Sequence, residues 1–350
     1  MTYQETLSHI YGLARFGMKP GLTRIAALLT SLGNPHLRTR AVHVAGTNGK
    51  GSTASFLASI VAAGGYRVGL FTSPHLIRFT ERIRINGGEI AEDAVVRLGK
   101  RVLHAAPPGT TFFEIVTALA LLNFVEEEVD LMVLEAGMGG RMDATNAVSG
   151  ILSVIAPVSL DHGEYLGATI AEIALEKAGI AKPGRPLVVS PQPSEALEVL
   201  ATVCAELECT MYRQGSDFTA SWGADGLVYR GLNVDLAGVK PGIPGRYQVV
   251  NAASALCAAE LLNNFGFKLD EATLQRGIET ARWPGRMELF GGPPRFLLDG
   301  AHNAAGGEAL AGALADISRD RLFIVAGVME DKDAEGILGP LLPLAAEVFA

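Results

Sequence analysis

Residues 46–53, GTNGKGST, combine the types and spacing best suited to chemistry in this chain. They stand between an apolar run at 41–45 and a helical pattern that begins near Ser52. Glycines let consecutive backbone N–H groups turn inward, the helix N-terminus adds positive potential, and Lys50 can reach the β- and γ-phosphates of a nucleotide. A hydroxyl from Ser52 or Thr53 would face a metal ion. The segment therefore predicts a polyphosphate-binding loop.

This loop departs from the strict nucleotide-binding pattern GxxxxGK[ST]. Gly51 separates Lys50 from Ser52, and the first glycine lies only three residues before Gly49. The alternative interpretation is a glycine-rich turn between a strand and a helix that holds no phosphate.

Glu135 is a second candidate, because it ends the apolar run 131–135 beside another glycine-rich loop. A carboxylate at the end of a buried strand costs free energy unless it meets a cation or hydrogen-bond donors. We predict a magnesium ligand, with a solvated strand end as the alternative. Magnesium takes only a few protein oxygens, so Ser73, after its own strand, and a hydroxyl of the loop are suitable companions.

The composition limits the class of protein and its partners. At 350 residues the chain is long enough for about two domains, and 49% hydrophobic with 19% charged residues excludes disorder for most of it. A formal charge of -8 gives no basic surplus, so we expect neither a nucleic-acid nor a membrane partner. Three cysteines cannot form a disulfide framework, and the first residues lack a secretion signal, so we expect a cytoplasmic monomer.

The elements that must position these residues alternate between apolar runs and helical patterns, which is typical of an α/β fold. We predict a P-loop domain with a doubly wound, mostly parallel sheet, and a small antiparallel edge sheet formed by short alternating pieces between 209 and 237. The predicted strands are 41–45, 68–71, 131–135, 151–158 and 186–190, and the helices between them are 52–63, 113–125 and 170–178.

A break at Trp283-Pro-Gly-Arg286 follows two further helical patterns and precedes a second alternation of strands and helices. We predict an ATP-binding domain with an N-terminal helical segment over 1–282, a linker at 283–286 and a smaller Rossmann-like α/β domain over 287–350. That second domain is short, and the chain stops within a strand near Glu347 whose edge we expect to be unpaired. We therefore expect the second domain to be incomplete at its C-terminus.

Several motifs beyond the loop carry a resemblance to a known family. They are 71–76 (FTSPHL), 111–114 (TFFE), 134–146 (LEAGMGGRMDATN), 160–162 (LDH), 176–180 (EKAGI), 283–286 (WPGR) and 299–303 (DGAHN). Together with the loop, this set resembles the Mur ligase superfamily and, within it, the folylpolyglutamate synthase and dihydrofolate synthase family of the bacterial bifunctional type.

The resemblance implies an ATP-dependent ligase that forms an amide bond. ATP would phosphorylate the carboxylate of dihydropteroate or a reduced folate, and the amine of L-glutamate would attack the acyl phosphate. Two alternatives are a Mur-type amino-acid ligase of peptidoglycan precursors and, from another class, a nucleotide-dependent switch or binding module. The strings at 142–146 and 73–75 favour the folate branch, and the metal-site matches beyond the loop disfavour a switch.

The resemblance also implies two magnesium ions and a set of catalytic residues, Lys50, His162 and Lys177. The lysine that matches Lys177 is commonly carbamylated, which converts a cation into an anionic ligand. From the residues alone, a histidine such as His162 is more often a hydrogen-bonded structural residue, and a lysine such as Lys177 is usually solvated on the polar face of a helix. The implied magnesium ligands are Ser52, Ser73, Glu135, His162 and Lys177.

The remaining implied contacts are to ATP and to the pterin-bearing substrate. The ATP-binding residues are Gly46, Thr47, Asn48, Gly49, Lys50, Gly51, Ser52, Thr53, Asn251, Arg286 and Asp299. The pteroate or folate residues are Gly21, Leu22, Thr23, Thr111, Phe112, Phe113, Glu114, Met142, Asp143 and Ala144. Asn251 could instead be a helix N-cap, and His302 is a candidate for phosphate or glutamate contact, or a turn residue.

Overall fold

A large, mostly parallel sheet forms the centre of the protein. A computed structural model describes residues 1–16, 20–292, 294–317, 321–330 and 332–349. The sheet has eight strands in the order β4-β3-β2-β5-β1-β6-β7-β8, and only β3 and β4 run antiparallel to their neighbours. The strands are β1 Arg40–Ala45, β2 Val68–Phe71, β3 Ile83–Ile85, β4 Gly88–Glu89, β5 Leu131–Glu135, β6 Leu152–Ile155, β7 Leu187–Val189 and β8 Met211–Arg213.

The strand register brings the loops of four strands to one edge of the sheet. Val44 of β1 is paired with Glu135 of β5, and Ala45 is paired with Ile155 of β6. Phe71 of β2 is paired with Leu134. The loops after β1, β2, β5 and β6 therefore leave the sheet side by side, at the carboxyl edge where α/β sheets bind ligands.

The predicted α/β class with a mostly parallel sheet is confirmed. The predicted strand 151–158 ends earlier, at Ile155, because the chain beyond it leaves the sheet to support the glycine-rich loop. There the carbonyl oxygen of Pro157 accepts the backbone N–H groups of Thr47 and Asn48, at 2.9 and 3.2 Å.

Helices cover both faces of the sheet, and three of them are apolar on all sides because they lie between the sheet and an outer layer. These three are α3, α5 and α9, whose residues are mostly buried. The helices of this part are α1 Tyr3–Gly12, α2 Thr23–Ser31, α3 Lys50–Ala63, α4 Glu92–Ala105, α5 Phe112–Glu126, α6 Gly163–Leu166, α7 Ile170–Ala178, α8 Ser194–Glu206, α9 Gln248–Leu262 and α10 Glu271–Thr280.

The region 209–237 differs in part from the prediction. β8 joins the large sheet parallel to β7, and only the later pieces form an antiparallel sheet, which is separate from the large one. Its strands pack through Phe218 and Tyr229 into the same core as Phe56 of α3 and Leu256 of α9. This sheet comprises β9 Thr219–Trp222, β10 Leu227–Arg230 and β11 Asp235–Val239.

The part of the chain after α10 is a smaller assembly of strands and helices, and residues 281–287 before it contain no helix or strand. The strand near Glu347 pairs along one edge with the parallel strand at Phe323, and no strand of the described residues pairs with its other edge. The elements are β12 Glu288–Phe290, β13 Phe296–Leu298, α11 Ala304–Ala315, β14 Phe323–Val325, α12 Ala334–Leu338 and β15 Glu347–Phe349. Among the described residues, no helix has the length and apolarity needed to cross a membrane.

Candidate active site

The glycine-rich loop between β1 and α3 presents a row of unsatisfied backbone donors. Gly49 precedes α3 with a left-handed φ of 81° and gives the helix no side-chain cap. Within the described part of the chain, the amides of residues 49–52 meet no hydrogen-bond acceptor, and the first such bond is from Thr53 N to Gly49 O at 2.9 Å. Unsatisfied N–H groups at a helix N-terminus form an anion-binding site.

Gly51 departs from the strict loop pattern, and close packing explains why a glycine stands at this position. A Cβ at this position would overlap the ring of Trp283 in the predicted linker. The hydroxyls of Ser52 and Thr53, the two alternatives for facing a metal ion, also lie in different surroundings. Ser52 lines the cavity at the loop, whereas Thr53 is fully buried inside α3 and lines no cavity described here.

Two lysines bring positive charge to the loop without an acidic partner. Lys50 Nζ donates to Thr47 O at 2.9 Å, and Lys177 Nζ, 3% exposed, donates to Gly46 O at 2.9 Å. Neither nitrogen has a carboxylate oxygen within 4.0 Å among the described residues. Burial, and then the charge of Lys50, lower the pKa of Lys177 to about 7. The charge of Lys50 suits a polyphosphate, whereas the Lys177 amine is partly neutral at pH 7.

Glu135 is a buried carboxylate with no basic partner. It is 4% exposed, and one oxygen accepts the backbone N–H of Ser73 at 3.0 Å. Burial raises its pKa, and no lysine or arginine nitrogen of the described chain lies within 4.0 Å. This buried, unpaired carboxylate lines the same cavity as Ser52 and Ser73, and such a set of oxygens fits a magnesium ion that keeps much of its water.

His162 and Lys177 complete the set of predicted magnesium ligands around the same cavity. His162 has a left-handed φ of 53° and precedes α6, and its Nε2 lies 3.8 Å from Asp161 Oδ2. Burial lowers the pKa of His162, so the ring is neutral and has a nitrogen free to bind a metal. Among the described residues, no group of three His, Cys, Asp or Glu side chains is arranged to hold a metal ion, so a metal here depends on serine hydroxyls as well.

Two adjoining cavities meet at this point. The smaller, about 340 Å³, lies over the glycine-rich loop, and the larger, about 980 Å³, extends away from it between the two parts of the chain. Their shared wall includes Ser73, Glu135, His162, Arg286 and Asp299. A group transferred from a ligand in the smaller cavity to one in the larger would cross at this wall.

Most residues predicted to bind the pterin-bearing substrate line the larger cavity. These are Gly21, Thr111, Phe112, Phe113, Glu114, Met142, Asp143 and Ala144. Leu22 and Thr23 do not line it, because Leu22 packs against the core beside α2 and Thr23 is exposed at the start of that helix.

Glu114 has a structural role that the sequence analysis did not assign. Its Oε2 accepts from Thr111 N and Thr111 Oγ1 at 2.7 and 2.9 Å, which forms a capping box at the start of α5. Arg24 Nε lies 3.1 Å from its other oxygen. The carboxylate is therefore already engaged by protein donors, and it fixes the N-terminus of α5.

Asp143 is a second buried carboxylate of this cavity and is also held by protein donors: its Oδ2 accepts the backbone N–H of Met138 at 3.0 Å, and a buried relay orients its Oδ1. Its Oδ1 accepts from Thr145 Oγ1 at 2.5 Å, and His43 Nε2 lies 2.6 Å from the same hydroxyl. Since the threonine donates to the carboxylate, His43 must donate through Nε2. Burial lowers the pKa of His43 to about 3, which keeps it neutral. The sequence analysis missed His43 because it lies within the apolar strand β1.

Asn251 is not a helix N-cap. It lies in the first turn of α9, three residues after Gln248, and donates to Gln248 Oε1 at 2.7 Å. Gln248 in turn donates to Ser52 Oγ at 3.3 Å, so this pair contacts the glycine-rich loop. Asn251 also packs so closely that a Cβ at Gly49 would overlap its side-chain oxygen.

Side chains beside the loop join the two parts of the chain, and three of them, Asn303, Asp161 and Lys332, have no role in the sequence-based prediction. Asn48 and Asn303 exchange two amide hydrogen bonds, at 2.9 and 3.1 Å. Asp161 accepts from Asn303 at 3.2 Å and from Lys332 at 2.8 Å. Burial opposes ionisation of Asp161, but these hydrogen bonds outweigh it and lower the pKa. His302 Nε2 lies 3.7 Å from the same carboxylate.

Arg286 and Asp299 both lie on the shared wall. Arg286 Nη1 donates to Gly285 O at 3.1 Å and keeps its other donors for a ligand. The carboxylate of Asp299 is held by Tyr247 Oη at 3.1 Å and by the backbone N–H groups of Met287 and Ala301, both at 2.9 Å.

Replacing Gly49 by alanine is expected to weaken the binding of a nucleoside triphosphate by at least about tenfold. The new Cβ would overlap Asn251 and displace the loop from the helix N-terminus, and the positive φ adds roughly 1 kcal/mol of strain. Gly65→Ala is the matched control, because Gly65 has a φ of 85° with open space around it. Equal loss of affinity in both variants would contradict the packing argument.

Comparison with known proteins gives consistent matches over both parts of the chain. Residues 44–259 match the Mur ligase middle domain, and residues 285–350 match the Mur ligase glutamate ligase domain. The dihydrofolate synthase/folylpolyglutamate synthase of Bacillus subtilis (strain 168) is 39% identical over 360 aligned positions, which cover 98% of this chain and 83% of that protein.

Solved structures give the same result. The FPGS-AMPPCP-folate complex superposes with a TM-score of 0.91 at 33% identity and covers 99% of this chain and 88% of that one. Escherichia coli FolC in complex with DHPP and ADP also superposes at 0.91 with 33% identity, covering 99% and 83% of the two chains.

Proposed function

The chain belongs to the folylpolyglutamate synthase and dihydrofolate synthase family of the Mur ligases, and from this premise we propose that it joins L-glutamate to dihydropteroate and to reduced folates. It is an ATP-dependent ligase that forms a carbon–nitrogen bond. The observation that carries the proposal is the wall shared by a cavity over the glycine-rich loop and a larger cavity lined by aromatic side chains.

The reaction has two steps. The carboxylate oxygen of the acid substrate attacks the γ-phosphorus of ATP, the bond to the bridging oxygen breaks, and ADP leaves. The neutral amine of L-glutamate then attacks the acyl carbon, phosphate leaves, and the amine loses its surplus proton as the amide forms. No covalent bond to the protein is needed, so catalysis consists of positioning, charge neutralisation and water exclusion.

The chain's own groups divide these tasks. The free amides of residues 49–52 and the ammonium group of Lys50 hold the phosphates and neutralise charge that develops during transfer. Arg286 adds positive charge at the shared wall, where the two substrates meet. The hydrogen bonds between Asn48 and Asn303 hold the two parts of the chain together and keep water away from the acyl phosphate.

Ser52, Ser73, Glu135 and His162 are proposed to hold magnesium, which would neutralise phosphate charge when bound. Lys177 is proposed to join them as a carbamate. Its buried Nζ lies at the loop, facing the same cavity, and a pKa of about 7 leaves much of the amine neutral at physiological pH. A neutral amine reacts with CO₂ to give a carbamate and a proton, which removes the unpaired positive charge.

The larger cavity is proposed to bind the acid substrate, with Phe112 and Phe113 as stacking surfaces and Asp143 as acceptor for the paired donors of a pterin ring. One chain supplies the walls of both cavities, which supports activity as a monomer. A cytoplasmic enzyme is the corresponding proposal, since its reduced cysteines fit a reducing compartment.

ADP formation tests the proposed function directly. Purified protein with ATP and magnesium is expected to form ADP rapidly only when both dihydropteroate and L-glutamate are present, and mass spectrometry should identify dihydrofolate. Tetrahydrofolate in place of dihydropteroate tests the second activity. A rate of ADP formation that is the same with and without the two organic substrates would contradict the proposed ligase activity and indicate a nucleotide switch. Turnover with a peptidoglycan precursor instead would indicate the other ligase class.

Carbamylation of Lys177 is expected to appear in ¹³C NMR as a carbamate signal in protein equilibrated with ¹³C-bicarbonate. The signal should grow between pH 6 and pH 8, because the neutral fraction of an amine with a pKa of about 7 rises over that range. Lys177→Arg, which stays charged, should lack the signal. A signal that persists in this variant, or none in the wild type at pH 8, would remove the carbamate from the proposal.

A further inference from the structure

Arg82 is a buried cation in the larger cavity that forms no ion pair with any described residue. It lies in the short 3-10 helix Phe79–Arg82, is 8% exposed and lines the cavity. Within the described chain, no carboxylate oxygen lies within 4.0 Å of its guanidinium. The exposed Arg78 of the same segment, by contrast, is paired with Glu89 at 2.7 Å.

Two contacts fix the orientation of this guanidinium. Its Nε donates to His75 Nδ1 at 2.7 Å, and its central carbon lies 5.4 Å from the centre of the Phe112 ring. The structure gives no hydrogen-bond partner to Nη1 or Nη2 among the described residues. Because the guanidinium can only donate, Nδ1 of His75 must be the acceptor and carries no proton. The two outer nitrogens are left as a fixed pair of donors at the cavity wall.

A paired, planar set of N–H donors in an apolar surrounding matches a carboxylate. Tyr11, Phe79 and Phe112 pack around Arg82 and His75, so water screens this charge poorly. Burying an arginine without an anion is costly, which makes the position a site for an anionic ligand rather than a source of stability.

The choice of carboxylate follows from the reaction proposed above, on which this inference rests. Dihydropteroate has one carboxylate, and that group must meet the phosphate at the shared wall. L-Glutamate has two carboxylates that do not react in the step that joins its amine, and it takes part in every turnover whatever the acid substrate. We propose that Arg82 binds a carboxylate of the incoming L-glutamate, and that His75 is the positioning residue that orients it.

Steady-state kinetics of two Arg82 variants test this assignment. Arg82→Met is expected to raise the KM for L-glutamate by about 10- to 100-fold, the range of a charge-assisted hydrogen-bonded contact. The KM values for ATP and dihydropteroate should change less than about threefold. Arg82→Lys, which keeps the charge but loses the planar pair of donors, should give an intermediate rise. Arg78→Met is the matched control on the surface and should behave as the wild type.

Thermal unfolding without substrates accompanies the kinetics. Arg82→Met should melt at or above the wild-type temperature, because an unbalanced buried charge has been removed. His75→Leu should raise the KM for L-glutamate while Arg82 is still present, which a purely structural role for His75 would not produce.

The outcomes separate the two proposals. An unchanged KM for L-glutamate in folded Arg82→Met and Arg82→Lys, or a rise confined to the KM for dihydropteroate, would overturn the assignment while the ligase function stands. A wild-type protein that fails to respond to L-glutamate at all would overturn the proposed function and this inference with it.

Discussion

Lys50→Ala is expected to reduce the rate of acyl phosphate formation by about 100- to 1,000-fold with the fold intact. Among the described residues its Nζ donates one hydrogen bond, to the Thr47 carbonyl, and Lys50 lines the cavity over the glycine-rich loop, so the variant removes a charge partner of the phosphates. Single-turnover measurements with dihydropteroate and no L-glutamate report this step alone. They separate it from amide formation and from product release.

Two controls keep this result interpretable. Lys268→Ala removes an exposed lysine remote from both cavities and should leave the rate unchanged. Thermal unfolding should show Lys50→Ala at least as stable as the wild type, since burial already lowers the pKa of Lys50 and disfavours its charged form. Near-normal acyl phosphate formation in Lys50→Ala would remove Lys50 from its proposed role.

Glu135→Gln is expected to abolish measurable ligation and at the same time to raise the stability of the metal-free protein, by about 1 kcal/mol. The carboxylate is buried and has no cation beside it, so a neutral amide of the same shape should be accommodated at lower free energy. Such opposite effects are typical of residues retained for chemistry rather than for folding.

The pH dependence of stability gives a second readout for this variant. The folded pKa of Glu135 lies above its ordinary value of 4.5, so the folded state binds its proton more tightly than the unfolded state. The wild type therefore loses this contribution as pH rises from about 4.5 through the raised pKa, and Glu135→Gln should lack that loss. Magnesium with ATP should stabilise the wild type more than the variant. Equal stabilisation of both would exclude Glu135 as a ligand.

The sequence predicted the parts of the site that depend on the ends of parallel strands. The loop after β1 has backbone N–H groups without acceptors among the described residues, and Glu135 at the end of β5 is a buried carboxylate. Both raise the free energy of the folded state unless a ligand is bound. Neighbouring strands of a parallel sheet then place them together, as the pairing of Val44 with Glu135 shows. A local pattern and one rule of sheet geometry suffice for this much of the site.

Two features were missed although a local signal existed. Thr111 and Glu114 have the spacing of a capping box, which explains the helix start and the engaged carboxylate without any substrate. The sequence Asn86-Gly87 between two alternating apolar pieces is a hairpin signal, and the structure has β3 and β4 there. The first segment was interpreted as a substrate contact, and no element was predicted for residues 83–89.

Other features had no local signal. Asn48 and Asn303 are separated by 255 positions, and Asp161 and Lys332 by 171, so their contacts depend on how the two parts of the chain pack. His43 lies in an apolar strand, and only the fold brings Thr145 to it. Contacts of this kind follow from tertiary structure and cannot be predicted from composition or periodicity.

The amide pair between Asn48 and Asn303 makes the two parts of the enzyme thermodynamically dependent on each other. Asn48 belongs to the phosphate loop, whereas Asn303 begins α11 in the second part. Any ligand that shifts the second part will change the affinity of the loop for ATP, and ATP must change the affinity for that ligand by the same factor. Because Asp161 holds Asn303 and lies beside His162, the same dependence extends to the proposed magnesium site. Together with the contacts of Asp161 to Asn303 and Lys332, this amide pair is therefore expected to couple the binding of one substrate to the binding of the next.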